Sequence, residues 1–221
     1  MKYYVINLDK RLDRFKNFRE QFSKISKLNN LVRVSGVEYE DETGDVQITR
    51  AACSAAHCNA IKLGLESGED IFTIFEDDIF FYDHTLDLID KSLQYLKDKD
   101  WDLLYWGCVP RAEFTDRPLL KTEEDYILKV MCAGTAHAIT YNRKFALNYI
   151  KNLPSSSKRG EWVRWVNSNV CHDHFLKKFQ IQGKSYTPNE ICACQYNGYS
   201  DIDGNESNRQ DVIEKQFGDY K

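Results

Sequence analysis

The first half of the chain alternates short apolar runs with longer segments in which apolar residues recur every three or four positions. The short runs are typical of buried strands, and the longer segments are typical of amphipathic helices. The helical spacing is clearest at Leu12, Phe15, Phe18 and Phe22. The predicted strands are 3–8, 31–37, 70–78 and 101–107, and the predicted helices are 11–25, 49–68 and 84–99.

Strands that alternate with helices imply right-handed crossovers and a mostly parallel sheet covered on both faces. We therefore predict an α/β fold, with a mostly parallel central sheet flanked by helices and a mixed C-terminal half. Thr49 is a plausible N-cap of the second predicted helix, 49–68, and Gly68 its stop. In the second half, 126–133 and 137–141 read as strands that pair like a hairpin, 142–153 and 171–180 read as helices, and the chain from 189 onward is turn-rich and polar.

Composition narrows the class of protein. The 221 residues carry a formal charge of −4, which argues against a protein that binds nucleic acid through a basic surface. No run approaches the roughly 18 apolar residues of a membrane span, and the N-terminus becomes charged too early for a signal peptide. The seven cysteines form no Cys-x-x-Cys pair, so we expect reduced, mostly buried thiols and a cytoplasmic location.

Residues 71–81, IFTIFEDDIFF, place three adjacent carboxylates inside an apolar run. Alternation along a strand puts Glu76 and Asp78 on one side and Asp77 on the other. Ligands of open α/β sheets bind beyond the carboxyl ends of strands, and a divalent cation removes the repulsion between clustered carboxylates. The pattern predicts a Mn²⁺ or Mg²⁺ site held chiefly by Asp78 with Glu76 or Asp77, because hard oxygen ligands suit both ions. The alternative is a solvated acidic turn.

Polar side chains elsewhere in the first half have the spacing to address an anionic ligand. Arg50, Ser54 and His57 share one face of the predicted helix 49–68, although His57 could equally be a core histidine bonded to a neighbour through Ser54. Arg11 and Arg14 lie one turn apart at a helix start and could meet phosphate or ribose, or form a solvated charged face.

A second acidic candidate lies in HDHFL, residues 172–176. Asp173 sits near the start of a predicted helix and could act as a general base, or could simply cap that helix. His172 or His174 could instead complete the coordination of a metal. At the end of the first strand, Asn7 could bond a nucleobase or cap the following turn.

Three blocks of the chain resemble glycosyltransferase family 25, the lipopolysaccharide-type sugar transferases that include collagen galactosyltransferase domains. They are VINLDKRLDR (5–14), ACSAAHCNAIK (52–62) and FEDDI (75–79). Weaker similarities follow, in the family's order, in AGTAHAITYNRKFA (133–146), HDHFL (172–176) and YSDI (199–202).

The resemblance implies a GT-A type fold, a nucleotide-diphosphate-sugar donor, here expected to be UDP-linked, and inversion at the anomeric carbon. It implies one catalytic domain over 1–221, with a nucleotide-sugar-binding half at 1–107 and an acceptor-binding half at 108–221. The acceptor would be a hydroxyl of a glycan or glycoconjugate. The expected donor contacts are Ile6, Asn7, Leu8, Arg11, Arg14, Ser54, His57 and Asp77, with Glu76 and Asp78 on the metal and Asp173 as base.

Two other functions fit the same residues. A catalytically silent relative would bind nucleotide-sugars or a partner through the same fold, because a fold does not fix a function. A metal-dependent phosphohydrolase would use the same acids and release phosphate or nucleotide without needing a sugar acceptor.

Overall fold

A computed structural model describes residues 1–41, 43–200 and 205–219. The strands are β1 (Lys2–Asn7), β2 (Leu31–Ser35), β3 (Ile71–Glu76), β4 (Ile79–Phe81), β5 (Leu103–Tyr105), β6 (Val109–Pro110), β7 (Leu119–Lys121), β8 (Ile127–Val130), β9 (Ala133–Gly134), β10 (Ala138–Asn142), β11 (Ser185–Pro188), β12 (Ala193–Gln195), β13 (Gly198–Ser200) and β14 (Asn205–Ser207). The α-helices are α1 (Leu12–Phe22), α2 (Val46–Glu66), α3 (Thr85–Leu96), α4 (Arg143–Tyr149), α5 (Arg159–Asn169), α6 (His172–Gln180) and α7 (Arg209–Asp219), and short 3₁₀ turns cover Leu28–Asn30 and Ile150–Asn152.

The central sheet has eight strands in the order β2-β1-β3-β10-β5-β11-β8-β7. Strands β10 and β8 run against the other six, since each pairs antiparallel with both of its neighbours. Strands β2, β1 and β3 are neighbours in parallel register, and β5 points the same way across β10. The prediction of an α/β fold with a mostly parallel sheet and a mixed C-terminal half is confirmed.

The two faces of the sheet bury different sets of residues, as period-2 strands require. On one face Tyr4 of β1 and Ile74 of β3 pack in the same apolar cluster as the alanines of α2. On the other, their chain neighbours Val5 and Phe75 pack with Phe18 of α1. Helices therefore cover both faces, which explains why these strands read as continuous apolar runs.

Helix α2 lies close to the sheet because its buried face carries small residues. Ala51, Ala55 and Ala60 are buried, and Gly64 faces the ring of Phe72. A Cβ at residue 64 would lie only 2.3 Å from that ring. This close approach places the first half of α2 beside the carboxyl ends of β1 and β3.

Three sequence predictions differ from the structure. The N-cap of α2 is Asp45, whose carboxylate accepts from the N–H of Gln47, so the prediction of Thr49 is wrong by one turn. Strands β8 and β10 do not form a hairpin, because β10 inserts between β3 and β5 while β8 pairs with β7 and β11. The C-terminal region, predicted to be turn-rich, also contains strand β12 and helix α7. Residues 201 and 202 of the YSDI block lie outside the described part of the chain.

All seven cysteines lie in the described part of the chain and carry free thiols, five of them buried. Within the same residues no helix combines the length and apolarity needed to cross a membrane.

Gly64→Ala tests the close approach of α2 to the sheet. Alanine favours a helix, but its methyl group would overlap the buried Phe72 ring, so we expect net destabilisation of about 1 to 3 kcal/mol. Thermal denaturation should show a lower Tm. The matched control is Gly218→Ala in α7, where a Cβ meets nothing within 4 Å, and Tm should stay the same or rise. Equal effects of the two substitutions would contradict the packing described.

Candidate functional site

A cavity of about 830 Å³ opens at the carboxyl ends of β1, β2 and β3. The first half of α2, the start of α6 and the segment after β12 complete its wall. Nine of the eleven expected donor, metal and base residues line it: Ile6, Leu8, Arg11, Arg14, His57, Glu76, Asp77, Asp78 and Asp173. The further candidates Arg50 and His172 line it as well. The structure thus gathers residues that are up to 167 positions apart in the sequence, from Ile6 to Asp173.

The acidic run lies where β3 ends. Glu76 is the last residue of the strand, and Asp77 and Asp78 form a turn before β4 begins at Ile79. The turn is fixed on both sides, because the N–H of Glu76 donates to the carbonyl of His137 and the carbonyl of Asp78 accepts from Tyr196. Strand alternation therefore stops at Glu76, yet Glu76 and Asp78 still face a common neighbour.

That neighbour is Gln195. Its side-chain Nε2 donates to Glu76 Oε2 at 3.1 Å and to Asp78 Oδ1 at 3.2 Å. The other oxygen of Glu76, Oε1, lies 3.1 Å from Nε2 of His57. Burial raises the pKa of Glu76, but the hydrogen bond and charge of His57, together with the charges of His137 and Arg209, outweigh burial and leave this pKa below its ordinary value.

Asp78 is in the opposite electrostatic situation. Burial, followed by the negative charges of Glu76 and Asp77, raises its pKa from 3.8 to about 7. The guanidinium of Arg14 offsets this only in part, from 3.8 Å. The cluster is thus short of positive charge at the position where Asp78 meets Glu76.

Asp77 points toward β1. Its Oδ2 accepts from Nδ2 of Asn7 at 2.6 Å, and its Oδ1 lies 3.5 Å from Arg14. Asn7 is only 1 % exposed, and its Oδ1 accepts from Nε of Arg33 at 2.7 Å. Asn7 therefore lies beneath the cavity and orients Asp77, so it is not placed to contact a nucleobase as the sequence suggested.

Ser54 likewise lies behind the cavity wall. Its hydroxyl donates to the carbonyl of Arg50 and accepts from the backbone N–H of His172. The His172 ring stacks on His57 at 4.4 Å, and its two nitrogens bond the hydroxyls of Tyr141 and Tyr149. Because both nitrogens are engaged, His172 serves as a buried support for the His57 ring.

Asp173 is the second residue of α6, which begins at His172, and Cys171 is the N-cap of this helix. Its Oδ1 accepts from the N–H of His174 and from the thiol of Cys171, and its Oδ2 accepts from the N–H of Thr135. Burial raises the pKa of Asp173, but these three hydrogen bonds, together with the positive charge of Lys177, outweigh burial and bring the pKa below its ordinary value.

The backbone around Asp173 is strained. Thr135 has a φ of +69°, which is unusual for a β-branched residue. That conformation aims its N–H at the Asp173 carboxylate. His174, the other histidine of HDHFL, lies near Glu113 at 3.7 Å and does not line the cavity.

Sequence reasoning missed several cavity residues. Gln195 is the last residue of the short strand β12, in a region that the sequence predicts to be turn-rich. Nothing local marks it as a partner of Glu76 and Asp78, 119 and 117 positions earlier. The sequence analysis treats Cys53 only as one of the mostly buried thiols. Its position four residues before His57 on α2, which places both side chains on one face of the helix, is the signal that could identify it. Thr135 lies within the AGTAH block but carries no recognisable chemistry in sequence.

The donor set fits a hard divalent cation. Carboxylate oxygens of Glu76 and Asp78 lie at hydrogen-bond distance from the same amide nitrogen of Gln195, and the Asp77 carboxylate between them in sequence points toward β1. A cation at this position would offset the charge that raises the pKa of Asp78. Glu76 and Asp78 would offer its oxygen ligands, with Asp77 beside them.

No protein-family model matches the chain, and no curated protein matches its sequence. Among solved structures, a glycosyltransferase involved in glycosylation of the major capsid of PBCV-1 is 9 % identical, with a TM-score of 0.40 over 85 % of this chain and 92 % of that one. The mannosyltransferase PcManGT of Pyrobaculum calidifontis, solved with GDP-Man and Mn²⁺, is 12 % identical, with a TM-score of 0.41 over 73 % of this chain and 49 % of that one. An apo UDP-glucose pyrophosphorylase is 11 % identical, with a TM-score of 0.42 over 99 % and 81 %. Similarity at this level does not assign the chain to a family.

Asp78→Asn tests the electrostatics of the cluster. Because the folded-state pKa of Asp78 is raised to about 7, the wild type loses stability as pH rises from 4 through 7. Asparagine has no charge to bury, so without metal the variant should have the higher Tm at pH 8, on the order of 2 to 4 °C, and a smaller advantage at pH 5.

The matched control for this measurement is Asp98→Asn, which removes the same charge from an exposed residue. Its Tm should differ little from wild type at either pH. A Tm of Asp78→Asn that falls below wild type at pH 8 would contradict the electrostatic account.

Proposed function

We propose that the protein is a metal-dependent, inverting glycosyltransferase that moves a sugar from a nucleotide-diphosphate-sugar to a hydroxyl of a glycan or glycoconjugate. One observation carries this proposal: the partly buried Glu76-Asp77-Asp78 cluster and the Asp173 carboxylate line the same cavity at the carboxyl edge of the sheet. The first supplies a site for a cation and a diphosphate, and the second supplies a proton acceptor.

The donor binds, in this proposal, along the ends of β1 and β2. Ile6, Leu8 and Tyr39 give the cavity an apolar and aromatic wall suited to a nucleoside, which we expect to be uridine. Arg11 and Arg14 line the cavity at the start of α1, where a helix N-terminus adds a favourable potential for phosphate.

Glu76 and Asp78 would hold Mn²⁺ or Mg²⁺, and the bound metal would stabilise negative charge on the departing nucleoside diphosphate. Asn7 and Arg14 keep Asp77 in place beside it. Residues 1–107 thus form the nucleotide-sugar-binding half of a single catalytic domain.

Residues 108–221 form the acceptor-binding half and contribute Asp173. The low pKa of Asp173 keeps it ionised at neutral pH, ready to take the proton of the attacking hydroxyl. Its three hydrogen bonds also hold the carboxylate in one orientation. The same hydrogen bonds make Asp173 a weaker base, because they stabilise its ionised form. We expect the bond from the Cys171 thiol to contribute to this lower basicity.

The resemblance to glycosyltransferase family 25 agrees with this arrangement. Each of its three main blocks, 5–14, 52–62 and 75–79, contributes residues to the cavity. The weaker blocks at 133–146 and 172–176 contribute Thr135 and Asp173.

Thermal denaturation with nucleotide-sugars tests donor binding. At about a hundredfold excess over Kd, the correct donor with Mn²⁺ should add about 2.7 kcal/mol, which is a rise in Tm of roughly 5 to 10 °C for a domain of this size. Asp78→Asn should lose this rise. An unchanged Tm with UDP-, GDP- and TDP-sugars would count against a transferase, and release of nucleotide at equal rates with and without acceptor would favour a phosphohydrolase.

Asp173→Asn tests the base. Removing a general base typically costs about 10²- to 10⁴-fold in rate, so transfer should be lost while donor affinity is retained. The measurement is turnover beside donor Kd, with Tm recorded because the amide replaces an acceptor of the Thr135 N–H. Loss of donor binding would place Asp173 on the donor instead.

Cys171→Ala is the matched variant. It removes the thiol hydrogen bond to Asp173 and leaves the carboxylate in place. The pKa of Asp173 should then rise, so the acid limb of the pH–rate profile should move to higher pH. An unmoved limb would argue that another group takes the proton.

A further inference from the structure

We propose that Cys53, His57 and Glu76 form a second metal site in the cavity wall, one that prefers Zn²⁺. We further propose that Zn²⁺ bound there weakens the binding of the donor's metal. The existence of the site does not depend on the proposed function, whereas the coupling to donor binding rests on it.

The geometry of the three side chains carries the first step. Cys53 and His57 are four residues apart on α2, so their side chains stand one above the other on the same face. Glu76 reaches this face from the end of β3. One ligand atom from each of the three residues lies within 4.8 Å of the other two, and Nε2 of His57 is already 3.1 Å from Oε1 of Glu76.

The chemistry of the three ligands selects the metal. Zn²⁺ binds thiolate, imidazole and carboxylate at about 2.0 to 2.3 Å, and sites with three protein ligands leave a fourth position open. Mn²⁺ and Mg²⁺ favour oxygen ligands, so a site containing a thiolate and an imidazole discriminates against them. On binding, the Cys53 thiol loses its proton to solvent and the sulfur becomes a Zn²⁺ ligand.

The His57 ring is held in position for this role. It is 1 % exposed, and the His172 ring supports it from behind at a centroid distance of 4.4 Å. His172 is fixed in turn by Tyr141 and Tyr149. Nε2 is directed at Glu76, so a metal bound between the two groups would replace their contact, and the neutral ring would carry its proton on Nδ1.

Glu76 links the two sites. Its Oε1 faces His57 and the proposed Zn²⁺ site, while its Oε2 faces Gln195 and Asp78, where the donor's metal is proposed. A cation on one oxygen withdraws charge from the other and repels a second cation nearby. Each metal should therefore lower the affinity for the other by the same factor, as linkage requires.

Co²⁺ is the probe for the site, because a cobalt–thiolate bond absorbs in the near ultraviolet and tetrahedral Co²⁺ absorbs in the visible. Wild-type protein titrated with Co²⁺ should show both absorptions, and Zn²⁺ should remove them. Cys53→Ser should abolish the thiolate absorption, with Cys53→Ala as a second variant in case the first misfolds. Cys171→Ser is the matched control, since it removes another cavity thiol and should leave the spectrum unchanged.

The coupling has its own measurement. Zn²⁺ should weaken Mn²⁺-dependent donor binding at least tenfold in wild type and leave it unchanged in Cys53→Ser. Asp78→Asn should keep the cobalt–thiolate absorption while losing donor binding. If the wild type binds no donor but shows the Cys53-dependent absorption, the proposed function is refuted and the second metal site is not. Absence of the thiolate absorption in wild type, its persistence in Cys53→Ser, or its loss in Cys171→Ser would overturn the second site.

Discussion

The placement of three consecutive carboxylates, one buried and two half-buried, at the end of an internal strand is the constraint around which this structure is organised. Buried charges are costly unless each finds a partner, and the partners here come from four separate elements. Asn7 arrives from β1, Arg14 from α1, His57 from α2 and Gln195 from β12. Strand pairing and helix packing matter for function mainly because they deliver these four side chains to one edge of the sheet.

The carboxylates of the cavity show how surroundings, and not residue type, set chemistry. Asp78 and Asp173 are both largely buried aspartates, yet their pKa values move in opposite directions. Asp78 has two carboxylates as neighbours, whereas Asp173 accepts hydrogen bonds from two backbone N–H groups and a thiol. The two neighbouring carboxylates suit Asp78 to hold a cation, and the fixed hydrogen-bond donors around Asp173 keep its carboxylate ionised and oriented.

Much of the fold is readable from local pattern, and the limits of that reading have physical causes. The helix at Leu12–Phe22 follows from the spacing of its apolar residues, and the strand at Ile71–Glu76 follows from its continuous apolar run. In both, the residues of the element itself show which side chains are buried. The insertion of β10 between β3 and β5 is a choice between distant partners, which no local pattern encodes. The hairpin expected between 126–133 and 137–141 fails for this reason.

The same distinction holds for the site. The acids at 76–78 stand out because charge inside an apolar run demands an explanation. Asn7 also stands out as a polar residue at a strand end, but only the structure shows that Arg33 and Asp77 already occupy its amide. Gln195 carries no such signal, since an amide in a polar segment is ordinary until its spatial neighbours are known.

In the proposed function, Glu76 and Asp78 hold the metal that binds the donor diphosphate. The most direct measurement is an anomalous difference map from a crystal grown with Mn²⁺ and UDP. We expect an anomalous peak between these two carboxylates, at about 2.0 to 2.2 Å from an oxygen of Asp78, with the diphosphate on the far side of the metal. Nucleotide bound in the cavity with no manganese peak at Asp78, or a peak only beside Cys53 and His57, would contradict it.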